Sequence, residues 1–348
     1  MRTRYLLLTA AFMALSGAAM AFEGGVRQLP ARDVPVPSAD VSPAMQTLIG
    51  APLPPIWNDH PKDAAAWKAL IKMRAEAVEK MLPDLRARLG VKIEPTTVAG
   101  VNAFIVTPND IPEANRNRLL VHVHGGGYVF FPGASGTREA ILMAAYGKFR
   151  IISIDYRMPP DHPYPAAMDD AMAVWKEVAK SNDPKKMAIF GTSTGGGMTL
   201  AMVLRAKKEG LPLPAAIAPG TPWSDMTKTG DTFFTNEMAD NILVSNDGWL
   251  GDAARLYANG TDLKDPQLSP VYGDYAGFPP TILTSGTRDL FLSNTVRVHR
   301  KLRQAGVVAD LHVFEGQSHA QYAGDPYAPE TKEHFGELAA FFDRHLAK

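Results

Sequence analysis

From about residue 91 onward, the chain alternates between two patterns of hydrophobic and polar positions. Short apolar runs such as Leu119 to Val123 are typical of strands buried on both faces of a sheet. The longer segments between them repeat their apolar residues at helical spacing. The predicted strands are residues 91–108 (a pair), 118–124, 149–156, 186–191, 215–219, 281–286 and 309–314, and the predicted helices are 134–148, 166–180, 195–209, 294–305 and 329–346. This alternation predicts an α/β fold with a mostly parallel, doubly wound sheet.

Two segments depart from this alternation. Residues 63–89 have helical spacing interrupted by Pro83, which predicts two short helices. Residues 223–270 lose the alternation altogether, and residues 22–55 are rich in proline and short polar residues, as in an extended arm. We therefore divide the chain into an arm with lid helices (22–90) and a main α/β domain (91–348) that carries a lid insertion at about 223–270.

The first 21 residues have the features of a secretory signal peptide. Arg2 and Arg4 precede a short apolar run, residues 6–15, and the stretch ends in Ala19-Met20-Ala21. The small-x-small ending is the pattern that signal peptidase requires, and the run is shorter than the roughly 20 residues that span a bilayer. The prediction is export to a periplasm or the medium, with cleavage near Ala21 and without a stable membrane anchor.

Composition narrows the class of partner. Lys+Arg and Asp+Glu both number 36, so no charge excess favours nucleic acid or an anionic membrane. The chain has no Cys, which excludes disulfides, a lipoprotein anchor and a cysteine nucleophile. These features favour a globular protein that acts on a small molecule, and they leave its oligomeric state open.

A possible nucleophile lies between a predicted strand and a predicted helix, in the string Gly191-Thr192-Ser193-Thr194-Gly195. A strand-to-helix turn tight enough to expose a serine leaves no room for flanking side chains, so glycine is needed at both positions. The alternative is a glycine-rich nucleotide-binding turn, but this string has neither the G-x-G-x-x-G pattern nor a P-loop lysine.

A second glycine-rich motif, His124-Gly125-Gly126-Gly127, directly follows the predicted strand 118–124. Consecutive glycines let backbone N–H groups approach a substrate and stabilise the oxyanion that forms when an ester carbonyl is attacked. We expect the amides of Gly125, Gly126, Gly127 and Thr194 to form this oxyanion hole. His122 and His124 are also spaced like a metal-binding pair, but no third ligand lies nearby in the sequence.

A serine hydroxyl needs a base to accept its proton and an acid to orient that base. Among the histidines after Ser193, only His319 follows a strand end, whereas the others lie within predicted helices or a strand (His299, His312, His334, His345). Asp289 likewise follows a predicted strand, whereas Asp225 and Asp231 suit turns or caps. Catalytic groups of α/β sheets gather at the carboxyl ends of strands, which favours Asp289 and His319.

With these motifs in order, the sequence resembles the hormone-sensitive-lipase-like esterases of the α/β-hydrolase superfamily. Further matching motifs are D-Y-R-M-P-P-D-H-P-Y-P-A-A at 155–167, P-W-S-D at 222–225, S-P at 269–270 and F-P-P at 278–280. The resemblance covers the chain from about Arg118 and implies hydrolysis of short-chain carboxylic esters, no cofactor and a helical lid. It also implies structural roles for Tyr156, Arg157 and His162.

The chain departs from the family pattern near the catalytic residues. Thr194 replaces the usual alanine after the nucleophile, Asp289-Leu290-Phe291 lacks the usual proline, and His319-Ala320-Gln321 replaces H-G-F. We expect Thr194 and Phe291 to shape the acyl pocket and to favour short acyl chains. Lactone and amide hydrolysis on the same triad, and a ligand-binding relative without catalysis, remain alternatives.

Overall fold

The apolar runs form one eight-stranded sheet in the computed structural model of the protein, which describes residues 30–347. The order across the sheet is β1-β2-β4-β3-β5-β6-β7-β8. Strands β3 to β8 run parallel to one another, whereas β2 is antiparallel to both of its neighbours, β1 and β4, so the predicted mostly parallel sheet is confirmed. The strands are β1 Val91–Val98, β2 Val101–Pro108, β3 Leu119–Val123, β4 Arg150–Ile154, β5 Met187–Thr192, β6 Ala216–Gly220, β7 Thr281–Gly286 and β8 Ala309–Phe314.

Successive strand residues point to opposite faces of the sheet, and helices cover both faces. In β3, Leu119, Val121 and Val123 pack into one core and Leu120 into the other. The first core includes side chains of α2, α5, α6, α8 and α9, and the second includes side chains of α3, α4 and α10. The helices are α1 Pro43–Ile49, α2 Ala64–Glu79, α3 Leu82–Leu89, α4 Arg138–Gly147, α5 Ala166–Ser181, α6 Thr194–Lys208, α7 Thr232–Thr235, α8 Trp249–Ala258, α9 Leu292–Gln304 and α10 Pro329–His345.

The parallel register aligns the carboxyl ends of the central strands. Thr192 at the end of β5 pairs with Gly220 at the end of β6, and Gly220 pairs with Thr284 of β7. The loops that follow these strands, and the loop after β3, therefore start at one edge of the sheet.

Two details of the N-terminal region differ from the sequence-based expectation. The stretch expected to be an extended arm contains α1, which begins after Ser42, whose side chain accepts a hydrogen bond from the N–H of Met45. The predicted break in residues 63–89 lies before Pro83, because proline fits the first turn of α3. The predicted signal peptide, residues 1–21, lies outside the described residues.

In the main domain, the helix expected from residue 134 begins at Arg138, after a single 3-10 turn, Gly133–Thr137. The insertion at 223–270 holds α7 and α8. Between residues 30 and 347, no helix is long and apolar enough to cross a membrane.

Candidate active site

Ser193 lies on the turn between β5 and α6, in a conformation that few residues adopt. Its φ is 65°, in the left-handed region that costs a non-glycine residue free energy. A Cβ atom on Gly191 or on Gly195 would lie 2.0 Å from the carbonyl oxygen of Val123. The flanking glycines are therefore required by the packing of this turn against the end of β3.

The oxyanion-loop candidate, residues 124–127, lies against this turn. A Cβ atom on Gly125 would lie 3.2 Å from Cβ of Ser193, so the two backbones are in close approach. Gly126 and Gly127 have φ values of 120° and 67°, which glycine adopts without strain. Within residues 30–347, the N–H groups of Gly125, Gly126 and Gly127 donate no hydrogen bond. Thr194 is the first residue of α6, where helix N–H groups lack intrahelical partners.

His124 and Tyr156 hold this loop in place. His124 Nδ1 donates to the carbonyl oxygen of Gly125 at 2.7 Å, and the Tyr156 hydroxyl donates to the carbonyl oxygen of His124 at 2.6 Å. Their rings stack with centroids 4.2 Å apart. Burial lowers the pKa of His124 to about 3, so the ring is neutral at physiological pH. These contacts give Tyr156 a structural role next to the site.

The predicted base and acid meet directly. His319, in the loop after β8, has Nδ1 3.0 Å from Oδ1 of Asp289, which follows β7. The Asp289 carboxylate also accepts hydrogen bonds from the N–H of Phe291 at 2.8 Å and from the hydroxyl of Ser285 at 2.7 Å. Burial alone would raise the pKa of Asp289, but His319 and the hydroxyl donors favour its ionised form and hold the pKa below its usual range.

A further residue of this site, not predicted from the sequence, is Thr221, which directly follows β6. Its hydroxyl donates to Oδ2 of Asp289, and its Oγ1 lies 3.1 Å from Nδ1 of His319. No sequence motif marks this threonine; its position after a strand end is the only signal that could have indicated it.

Asp240, a fully buried residue of the insertion, was also not predicted from the sequence. Its Oδ2 accepts hydrogen bonds from the N–H of Leu290 at 2.8 Å and from the N–H of His319 at 3.3 Å, and its Oδ1 accepts from residues 242 and 243. Burial, together with the charge of Asp289, raises the pKa of Asp240 to about 6. The carboxylate therefore joins the insertion to the loops that carry Asp289 and His319.

Ser193 and His319 line the same cavity, which has a volume of about 640 Å³. This is the size of a small-molecule site. Nε2 of His319 has no hydrogen-bond partner in the described part of the chain, so it is free to accept a proton in this cavity. Both predicted lid segments contribute to the walls, through Leu48, Ala51, Pro52, Pro54, Ile56, Arg74, Val78 and Met81 from the N-terminal region and Asn241, Ile242, Leu243, Trp249 and Leu250 from the insertion.

Two residues expected to shape the acyl pocket do not line the cavity. Thr194 is fully buried, and its neighbour Tyr156 lies behind the oxyanion loop. Phe291 is buried between Trp223, whose ring stacks on it, and the edge of His319. Both side chains point into the protein, so they do not support the expected preference for short acyl chains.

The residues left as alternatives have other roles. His122 is buried, with Nδ1 2.9 Å from the Ser153 hydroxyl and Nε2 3.2 Å from the Glu139 carboxylate. Throughout residues 30–347, no group of three His, Cys, Asp or Glu side chains could hold a metal ion. Asp225 forms an ion pair with Arg297 at 2.7 Å, beyond the turn role expected from sequence. None of the remaining histidine candidates lines the cavity (His299, His312, His334, His345).

Comparisons with known proteins agree with this geometry. Residues 120–323 match the model of a family described by its alpha/beta hydrolase fold. The crystal structure of an esterase is 45% identical and superposes with a TM-score of 0.89, covering 92% of this chain and 99% of that chain. An esterase from the bacterial hormone-sensitive lipase family is 27% identical, with a TM-score of 0.69 over 82% of this chain and 99% of its own. An esterase of Acinetobacter venetianus is 28% identical over 72% of this chain and 82% of its own length.

The matched family model spans more than half of the chain, and its region contains both the serine turn and the histidine loop. The protein is thus an α/β-hydrolase. Within that family it belongs to the hormone-sensitive-lipase-like branch, a group of serine hydrolases that act on carboxylic esters.

Proposed function

We propose that the protein hydrolyses small carboxylic esters through an acyl intermediate on Ser193. Three observations support the assignment: Ser193 and His319 line one cavity, His319 Nδ1 lies 3.0 Å from Asp289, and Nε2 is unpaired. The second of these carries most weight, because a buried carboxylate fixes the imidazole in the tautomer that accepts a proton at Nε2.

The reaction follows from this arrangement. Ser193 Oγ attacks the ester carbonyl carbon while His319 Nε2 takes the hydroxyl proton. The carbonyl oxygen becomes an oxyanion, which the amides of Gly125, Gly126, Gly127 and Thr194 stabilise. The proton on Nε2 passes to the departing alcohol and leaves an acyl-serine. Water, deprotonated by the same nitrogen, then attacks the acyl carbon, and the carboxylic acid leaves as Ser193 regains its proton.

A hydrolysis panel tests this proposal. p-Nitrophenyl esters of increasing acyl length, a lactone and a p-nitroanilide are offered to the wild type and to Ser193→Ala. The expected result is turnover of the esters that falls by several orders of magnitude in the variant, because Oγ forms a bond in the reaction. Turnover of the anilide or the lactone alone would contradict the assignment to esters.

The lid role of the N-terminal segment and of the insertion belongs to this proposal. Both segments supply apolar walls of the cavity that Ser193 lines, including Ile56 and Trp249. Exchanging Ile56 for alanine removes part of that wall and enlarges the cavity, so we expect the preferred acyl chain to be longer. An unchanged chain-length profile would count against a lid role for that wall.

We also propose that the protein is exported and that the mature chain begins at Phe22. The basic residues Arg2 and Arg4, the apolar run and Ala19-Met20-Ala21 support this proposal. N-terminal sequencing of periplasmic and secreted protein tests it, and a cytoplasmic product that starts at Met1 would contradict it.

A further inference from the structure

The strongest unexplained feature of the cavity is the guanidinium of Arg74, on α2. It lies 4.4 Å from the ring centroid of Phe130, 5.6 Å from that of Phe131 and 5.7 Å from that of Trp249. An aromatic ring attracts a cation, but it has no lone pair that could accept a hydrogen bond from the guanidinium. No acceptor in residues 30–347 takes a hydrogen bond from Arg74, and no carboxylate there forms an ion pair with it. Burial lowers its pKa to about 10, so it remains charged at neutral pH.

The other charged groups of the cavity wall already have partners. Glu139 accepts hydrogen bonds from the hydroxyl of Thr192 at 2.6 Å and from His122 at 3.2 Å. Arg138 donates to the carbonyl oxygen of Gly324 at 2.8 Å. Two guanidinium groups and one carboxylate thus line the cavity, which leaves a surplus positive charge at Arg74.

The aromatic rings connect Arg74 to the place where an ester carbonyl would react. A Cβ atom on Gly127 would lie 2.9 Å from Cζ3 of Trp249, and one on Gly126 would lie 2.8 Å from Cδ2 of Phe131. The rings of Phe131 and Trp249 therefore lie close both to the oxyanion-loop candidate and to Arg74. Because Arg74, Gly126, Gly127 and Ser193 line the same cavity, we infer that a short aliphatic linker can join a group bound at Arg74 to the reacting carbonyl.

We propose that Arg74 binds a carboxylate of the substrate, so that the preferred substrates are esters with a second, ionised carboxyl group on a short aliphatic chain. This inference rests on the proposed ester hydrolysis at Ser193. A guanidinium presents its N–H donors in a fork that matches a carboxylate, and the pairing is strengthened by the apolar surroundings. The aromatic contacts keep the guanidinium in place before the substrate binds.

Matched acid and amide substrates test the proposal. Monoethyl adipate and its primary amide carry the second group on the acyl side, and the acetate ester of ω-hydroxycaproate and its amide carry it on the alcohol side. The measured quantity is the ratio of kcat/KM for acid over amide. In Arg74→Gln this ratio should fall about tenfold to a hundredfold for one of the two pairs, the usual effect of hydrogen bonds to a charged group. Arg74→Lys should retain part of the preference, because it keeps the charge without the fork.

Lys72→Gln is the matched control, since it removes one positive charge from an exposed position of the same helix. It should leave both ratios unchanged. An unchanged ratio in Arg74→Gln, or an equal loss on acids and amides, would overturn the proposal and make Arg74 a brace for the aromatic rings. A failure of the proposed ester hydrolysis would give a different result, because the wild type would then not hydrolyse the ester bond of the neutral substrates that carry a primary amide.

A measurement on the wild type covers the case in which Arg74→Gln does not fold. Adipate should inhibit hydrolysis of a neutral ester competitively and at least about tenfold more strongly than adipamide. Equal inhibition by adipate and adipamide would contradict carboxylate recognition.

Discussion

Gly195→Ala tests the packing of the serine turn against the oxyanion loop. The added Cβ would lie 2.0 Å from the Val123 carbonyl oxygen, and an ordinary contact needs roughly 3.5 Å, so the turn or the end of β3 has to move by over about 1 Å. Because Val123 immediately precedes residues 124–127, that shift moves Ser193 relative to the proposed oxyanion donors. A displacement of this size costs about a hundredfold in kcat, and the overpacking costs about 1–3 kcal/mol of unfolding free energy.

The assay is kcat on a p-nitrophenyl ester together with urea unfolding of the same samples. Gly336→Ala is the control, because Gly336 lies in α10 and a Cβ there meets no atom within 4 Å. That control should gain about 0.5–1 kcal/mol of stability from helix propensity and keep wild-type kcat. Wild-type kcat and stability in Gly195→Ala would refute the steric argument for this turn.

Three further outcomes follow from the site. The pKa of Asp240 in the folded protein, about 6, lies above its ordinary value. The protonated carboxyl group of Asp240 therefore contributes fully to stability below about pH 4, and this contribution is lost as the pH rises through 6. The side chain of Asp240→Asn cannot ionise, so the variant does not lose this contribution. Its unfolding free energy minus that of the wild type should therefore rise by up to about 3 kcal/mol as the pH increases from below about 4 to above about 6. Urea titrations measure this difference, and a difference that does not change with pH would contradict the prediction. Tyr156→Phe leaves the His124 carbonyl oxygen without its donor and should cost about 1–3 kcal/mol of stability by the same titration, with a lower kcat; a silent substitution would contradict the bracing role. Thr194→Ala should leave the acyl-length profile unchanged, since this side chain does not line the cavity, and an altered profile on the ester panel would show otherwise.

The motifs that sequence analysis identified are those whose backbone geometry restricts the residue type. Glycine is required at several of these positions, so the motif can be recognised in the sequence. At Gly191 and Gly195 a side chain would meet a carbonyl oxygen, and at Gly126 the φ of 120° favours glycine. The parallel sheet can be predicted from the sequence because strands that are buried on both faces need unbroken apolar runs.

Other parts of the site depend on tertiary contacts that no local pattern records. Asp240 is an ordinary aspartate in the sequence, and its importance comes from a fold that brings the N–H groups of Leu290 and His319 to its carboxylate. Arg74 reads as one cation of an amphipathic helix until the rings of Phe130 and Trp249 are placed beside it. The side chain of Thr194 was expected to shape the acyl pocket, but it does not line the cavity, because a sequence does not show which side of the turn a side chain faces.

Covalent labelling identifies the nucleophile that the proposed ester hydrolysis requires. The wild-type protein is treated with a serine-directed phosphonate until ester hydrolysis stops, and the adduct is located by mass spectrometry of the digested protein. We expect one phosphonyl group per chain, on Ser193, and no labelling at the same dose in Ser193→Ala. An adduct on another serine, or full ester hydrolysis by Ser193→Ala, would contradict it.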